Sequence, residues 1–249
     1  MSSPPAGPFS AHVLALVLLM LVPFGSLKAE HRYWVGGNGH WNDRAHWSAT
    51  DGGAGGAAVP GPGGDAFVFT AAGDVVVVLA REAEVGSLSV EGRRGQVRLE
   101  GTGGRLRIAG NVEVKGNVAW SWPGTMELLP RTGIPQLDLH GIPLSGDVVF
   151  SGGGTWSMRS DLVLGESGAL RIVEGTLVTN GNMLRAGTLH MAGQGAKLMA
   201  GSSVVLLAQG FEHGHARAVV DAGSSTLLVA GSRVEWGTAA IAQAEVRHA

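Results

Sequence analysis

Residues 106–120 read LRIAGNVEVKGNVAW. Apolar and polar side chains alternate in Leu106-Arg107-Ile108 and again in Val112-Glu113-Val114. That period of two turns one face of a strand inward and the other outward. Each run ends at or just before a glycine, Gly110 or Gly116, and the next begins one residue later. Strands of an antiparallel sandwich typically run about 5–6 residues, with turn signals about every 8–12. Runs this short and this close suit a parallel β-helix, in which three short strands and their corners make one coil and coils stack at about 4.8 Å.

The same unit recurs on both sides: LSVEG (88–92), VRLEG (97–101), LDLHG (137–141), VVFSG (148–152), LVTNG (177–181), LHMAG (189–193) and LLVAG (227–231). Asn180, Gly181 and Asn182 mark a corner, because these residue types tolerate left-handed backbone. With a coil on the order of 20–25 residues, the segment 65–236 predicts roughly seven coils, a rod about 30–35 Å long. The expected fold is all-β, a right-handed parallel β-helix with an N-terminal aromatic cap; a β-sandwich or jelly roll is the alternative. TAAIAQAEVRHA (238–249) is the helix candidate of the chain.

Composition agrees with many short strands and tight turns. Among 249 residues, 41 are glycine, about twice the ordinary share of roughly 7%, while hydrophobic residues reach 45%. There is no G-X-Y period, so a collagen helix is excluded, and the interleaved Val, Leu and Ile exclude a flexible linker. A formal net charge of -2 without a basic stripe argues against nucleic acid as a partner. Cysteine is absent, so neither a disulfide nor an acylated cysteine anchor contributes.

His12–Phe24 is apolar and shorter than the roughly 20 residues of a membrane span, and GSLKA follows it. This reads as a signal peptide cleaved after Ala29, with a retained anchor as the alternative. The expected organisation is a signal peptide (1–29), a cap segment (30–64), the β-helix domain (65–236) and a C-terminal tail or partial cap (237–249). No membrane span is expected after cleavage. The expected location is secreted, or at the cell surface.

Residues 33–48, YWVGGNGHWNDRAHWS, hold three tryptophans and the chain's one tyrosine, and VPGPGGDAFVF (59–69) follows. Together they resemble the start of secreted bacterial β-helix modules, especially those of large surface proteins in Bacteroidetes. VVFSGGGTWSMRSDLVL (148–164) and LRIVEGTLVTNGNMLRAG (170–187) are similar to later coils of such modules. The resemblance spans most of residues 32–231 and implies a structural or adhesive role, with no catalytic residues to carry over. Asp65 is followed by Ala66 where that family often has two acids, so no cation site is carried over.

Flat tryptophan rings can stack on sugars or cover an open coil. Trp34, Trp41 and Trp47 are read as the cover, with Asp43 and Asn38 capping its turns. Trp120 and Trp122, alternate residues of AWSWPG, share a strand face and are the candidates for carbohydrate contact. Polysaccharide hydrolysis needs two carboxylates about 5–9.5 Å apart. Asp138, Asp147, Asp161, Glu166 and Glu174 stand singly and read as solvated outward positions. His213 and His215 of EHGH share a face beside Glu212, and His40 and His46 sit in the opening motif; neither pair supplies the three or four ligands of a metal site. No cofactor or metal is expected. The serine-rich turns at 202–203 and 224–225 lack a partnered histidine and acid, so they offer no nucleophile.

The function expected from these residues is an exported, non-catalytic β-helix module of surface structure or adhesion. Its expected partner is an extracellular polysaccharide or another surface protein. A polysaccharide lyase or glycoside hydrolase, or a remnant of one, is the alternative.

Overall fold

The computed structural model describes residues 30–69, 73–131 and 133–230, together with the backbone of strands Arg233–Glu235 and Glu245–His248. The proposed signal peptide lies outside the described residues. The chain is all-β and winds into a β-solenoid of about seven turns, a parallel β-helix as the glycine-closed runs predict. All strand pairings are parallel except that of Arg32–Trp34 with Trp47–Ser48.

Three ladders run along the rod. The first contains Ala66–Phe69 and joins Ala66, Leu88, Val112, Leu137 and Met158 as successive partners. The second joins Val77, Leu99, Trp120, Leu144 and Leu164. The third joins Leu106, Met126, Val148, Leu170, Leu189 and Phe211. Every one of these side chains is buried, so each ladder carries an apolar column into a single core. Long strands such as Leu88–Glu100 bend round a corner and take part in two ladders, and among the described residues this fuses the strands into one 21-stranded sheet.

The repeat dictates where glycine is needed. Gly92 and Gly116 are register partners on adjacent coils, and Gly116 has a φ of +75°. A Cβ on Gly116 would sit 2.6 Å from the Gly92 carbonyl oxygen, so the two corners approach too closely for a side chain. The corner expected at Asn180-Gly181-Asn182 is present. Asn180 and Gly181 take positive φ values of 54° and 80°, and Asn182 donates from Nδ2 to the Thr179 carbonyl at 2.9 Å.

Near the C-terminus the helix expectation is corrected over residues 245–248. Glu245–His248 is a strand paired in parallel with Thr226–Val229, while residues 236–244 and 249 lie outside the described residues. The open edge of the preceding coil offers hydrogen bonds to an extended segment beside it, and over Glu245–His248 tertiary pairing overrides helix propensity. Among the described residues no helix is long and apolar enough to cross a membrane.

Candidate functional site

The opening motif builds a compact plug. Trp34, Trp41 and Trp47 are all buried and belong to the same apolar cluster as Val68 and Val77 of the first full coil. Trp47 stands edge-on to both partners, with ring centroids 4.8 Å from Trp41 and 5.2 Å from Trp34, an arrangement that suits aromatic quadrupoles. Its indole Nε1–H donates to the Trp41 carbonyl at 2.6 Å, which satisfies a polar group at full burial. Asp43 accepts from Ala45 N at 2.9 Å and caps the 3-10 turn Arg44–His46. Asn38 reaches out of the plug and accepts from Val76 N at 2.8 Å, tying it to the coil beneath. His46 stacks on Trp34 at 4.8 Å and is a wall of the plug rather than a ligand.

Trp120 and Trp122 do share a face, and it is the inner one. Trp120 is 4% exposed and Trp122 is fully buried, so neither ring face is open to a sugar. Trp120 continues the Val77–Leu99 column, and that inward register leaves the pair no alternative but the core. The carbohydrate-contact assignment of these two residues is therefore corrected.

The histidine motif near the end of the rod also changes. His213 points into the core below Met191, whereas Glu212 points outward and His215 lies beyond the strand end. Strand alternation thus separates Glu212 from His213, and the strand's end releases His215 from a shared face. Among the described residues no group of three or more His, Asp or Glu side chains could hold a metal ion.

Two of the acids read as solvated are instead stitches between coils. Asp147 Oδ1 accepts from Ala169 N and Asp161 Oδ1 from Met183 N, each at 2.8 Å and each 22 residues further along the chain. Asp65 to Ser87 N and Asp74 to Gln96 N repeat the same bond at the same distance and separation. The sequence carries a signal for them: an Asp directly before the first inward residue of a strand, one coil before an amide that needs an acceptor.

Two outer surfaces carry chemistry. On the third ladder, Glu127 is the centre of an ion-pair strip. It meets Arg107 Nε at 3.2 Å and Arg105 at 3.4 Å, and accepts from Ser151 Oγ at 2.7 Å. Arg107 also meets Glu82 at 3.2 Å, and Arg131 meets Glu84 at 2.9 Å. Acids and bases do converge here, but each carboxylate is bound by an arginine from another coil, which suits adhesion between coils more than proton abstraction.

On the first ladder, Tyr33, Phe67 and Phe69 project outward and are half-buried. Tyr33 and Phe67 are register partners stacked at 5.0 Å, His31 meets Phe67 edge-on at 5.5 Å, and Phe69 lies 5.7 Å from Phe67. The Arg93 guanidinium sits 4.0 Å over Phe69. Next along the same face come Ser89 and Glu91, then Glu113 and Lys115, in register. Arg93 pairs with Glu91 at 2.7 Å and Lys115 with Glu113 at 2.9 Å. Lys115 Nζ donates to Glu113, and that hydrogen bond raises the Lys115 pKa above its ordinary value. The tryptophans of the opening motif do not point to these outward aromatics. The alternation AFVF at 66–69, with its two phenylalanines on the polar phase, was the available signal. Comparison with protein-family models, curated proteins and solved structures finds no match to this chain.

Proposed function

We propose that this chain is an exported β-helix module of the bacterial cell surface that contributes structure and adhesion, with the outer face of the first ladder as its contact surface for extracellular polysaccharide. The observation that carries this reading is the half-exposed cluster Tyr33–Phe67–Phe69 continuous with the paired polar groups of Ser89, Glu91, Arg93, Glu113 and Lys115. Aromatic ring edges and faces cover the apolar patches of a sugar, while paired carboxylates and cations accept from and donate to its hydroxyls. The remaining coils support that face through their inward apolar columns and through the coil-to-coil bonds of Asp147 and Asp161.

Affinity electrophoresis of the mature chain against a panel of neutral and acidic polysaccharides tests this. Retardation by at least one of them is expected, and the Tyr33→Ala/Phe67→Ala double variant should lose about tenfold or more in affinity, as loss of central aromatic anchors does. Thermal melts of both proteins separate lost contact from lost fold. A parent chain that is retarded by none of the panel, or a folded double variant that binds unchanged, would sink the assignment.

A further inference from the structure

The outer face of the third ladder carries a hydroxyl–imidazole–carboxylate chain. Thr188 and His190 are alternate residues of strand Leu184–Met199 and both point outward, while Leu189 between them is buried. Glu212 is the register partner of His190 on the following coil. His190 Nδ1 lies 2.6 Å from Glu212 Oε2, and His190 Nε2 lies 3.0 Å from Thr188 Oγ1. A carboxylate oxygen accepts, so Nδ1–H is the donor to Glu212, and the tautomer with its proton there turns the Nε2 lone pair toward the Thr188 hydroxyl. A hydroxyl within reach of a base that a third group orients is the arrangement of an activated nucleophile.

The surroundings suit a reacting site more than a packed one. The His190 and Glu212 side chains are 24% and 28% exposed, held in place yet reachable. The register neighbours of Thr188 are Ala169 and Gly210, the smallest side chains the ladder could place there. Arg171, the register partner of His190 on the preceding coil, is exposed and adds a cation to the patch.

We propose that Thr188, His190 and Glu212 form a nucleophilic acyl-transfer site for short-chain acyl esters, an activity beyond the adhesive role and independent of it. Thr188 Oγ1 attacks the ester carbonyl carbon as its proton passes to His190 Nε2. Arg171, in register with His190 one coil away, would supply the countercharge for the tetrahedral oxyanion. Collapse breaks the bond to the alcohol, which leaves with the proton from Nε2, and the acyl group stays on Thr188. Water then attacks the acyl-threonine, gives its proton to Nε2, and the carboxylic acid departs as Thr188 is regenerated. Glu212 is a positioning residue that holds the ring tautomer. The register neighbours of Thr188 offer no large apolar side chain, so a longer acyl chain gains no binding energy over acetyl.

The test uses the mature chain with p-nitrophenyl acetate, butyrate and octanoate, and with O-acetylated xylan as the polymeric ester. Acetate should be cleaved above the buffer rate, and octanoate no faster than acetate. Thr188→Val and His190→Gln should lose roughly 10²–10⁴-fold, the usual contribution of general-base assistance. Thr188→Ser should retain activity and shows that the fold and the hydroxyl suffice. Glu212→Gln should lower kcat with KM unchanged and shift the pH profile of kcat, neither of which a purely structural role would produce. A fluorophosphonate probe should modify Thr188, read by peptide mass mapping. Hydrolysis no faster than buffer, hydrolysis unchanged in folded Thr188→Val, or labelling elsewhere would overturn the assignment. Cleavage of p-nitrophenyl acetate without release of acetate from xylan supports the acyl chemistry and places its substrate among smaller esters.

Discussion

Trp122 is enclosed by its own corner of the chain. A Cβ on Gly101 would approach its Cδ1 to 2.9 Å, and a Cβ on Gly124 would clash with its Cζ2 and Cε2. Overfilling such a site forces side chains off their rotamers and typically costs about 1–3 kcal/mol. Gly124→Ala is expected to lose stability in that range, read as a lower urea midpoint with an unchanged m-value. A midpoint equal to the parent's would mean that the ring moves freely and that the enclosure is loose. The pairing of Trp120 with Trp122 on one face was legible in the sequence, because alternation has a fixed period. Which face that was could not be read. It depended on Trp120 falling in register with Leu99 and Leu144, residues more than twenty positions away on either side.

At the scale of the element, a short strand is made stable by its neighbours one coil away. The Asp161 carboxylate illustrates this: it accepts from Met183 N at 2.8 Å, where the ladder has no backbone acceptor to offer. Removing the acceptor leaves a part-buried amide unpaired, at a cost of about 1–3 kcal/mol. Asp161→Ala is therefore expected to lower the urea-unfolding free energy by that amount. Asp161→Asn should lose much less, since Asn111 makes the equivalent bond to Gln136 N at 2.9 Å with an amide oxygen. Equal losses in the two variants would show that the charge, not the bond, matters. The strands themselves were readable from alternation and glycine. The stitches were not read, because Asp147 and Asp161 look like ordinary surface acids until the coil length is known. The Thr188–His190–Glu212 chain was hidden for the same reason: its carboxylate comes from the following coil.

The whole molecule behaves as a one-dimensional stack, in which each coil contacts its neighbours and the ends are the weak points. The tryptophan plug protects the first end. Trp47→Ala removes a fully buried ring and is expected to cost about 3–5 kcal/mol. The loss should be graded along the rod. Hydrogen exchange should accelerate first in Ala66–Phe69 and Val75–Val78, and least in Ala169–Val178 near the middle of the far half. Uniform acceleration in every coil would mean that the rod unfolds as one cooperative unit and that the plug is no local cap.

The sequence alone determined that the chain is all-β, that its strands are short and glycine-closed, and that about seven coils follow an aromatic opening segment. Those properties are written in a period of two and a spacing of one coil, both local and repeated. Only the tertiary structure decided which aromatics are inside, which acids hold coils together, and which hydroxyl, imidazole and carboxylate meet. In a parallel β-helix every lateral neighbour comes from one coil away, about 22 residues along the chain. A one-residue change of register would turn each of those side chains to the opposite face.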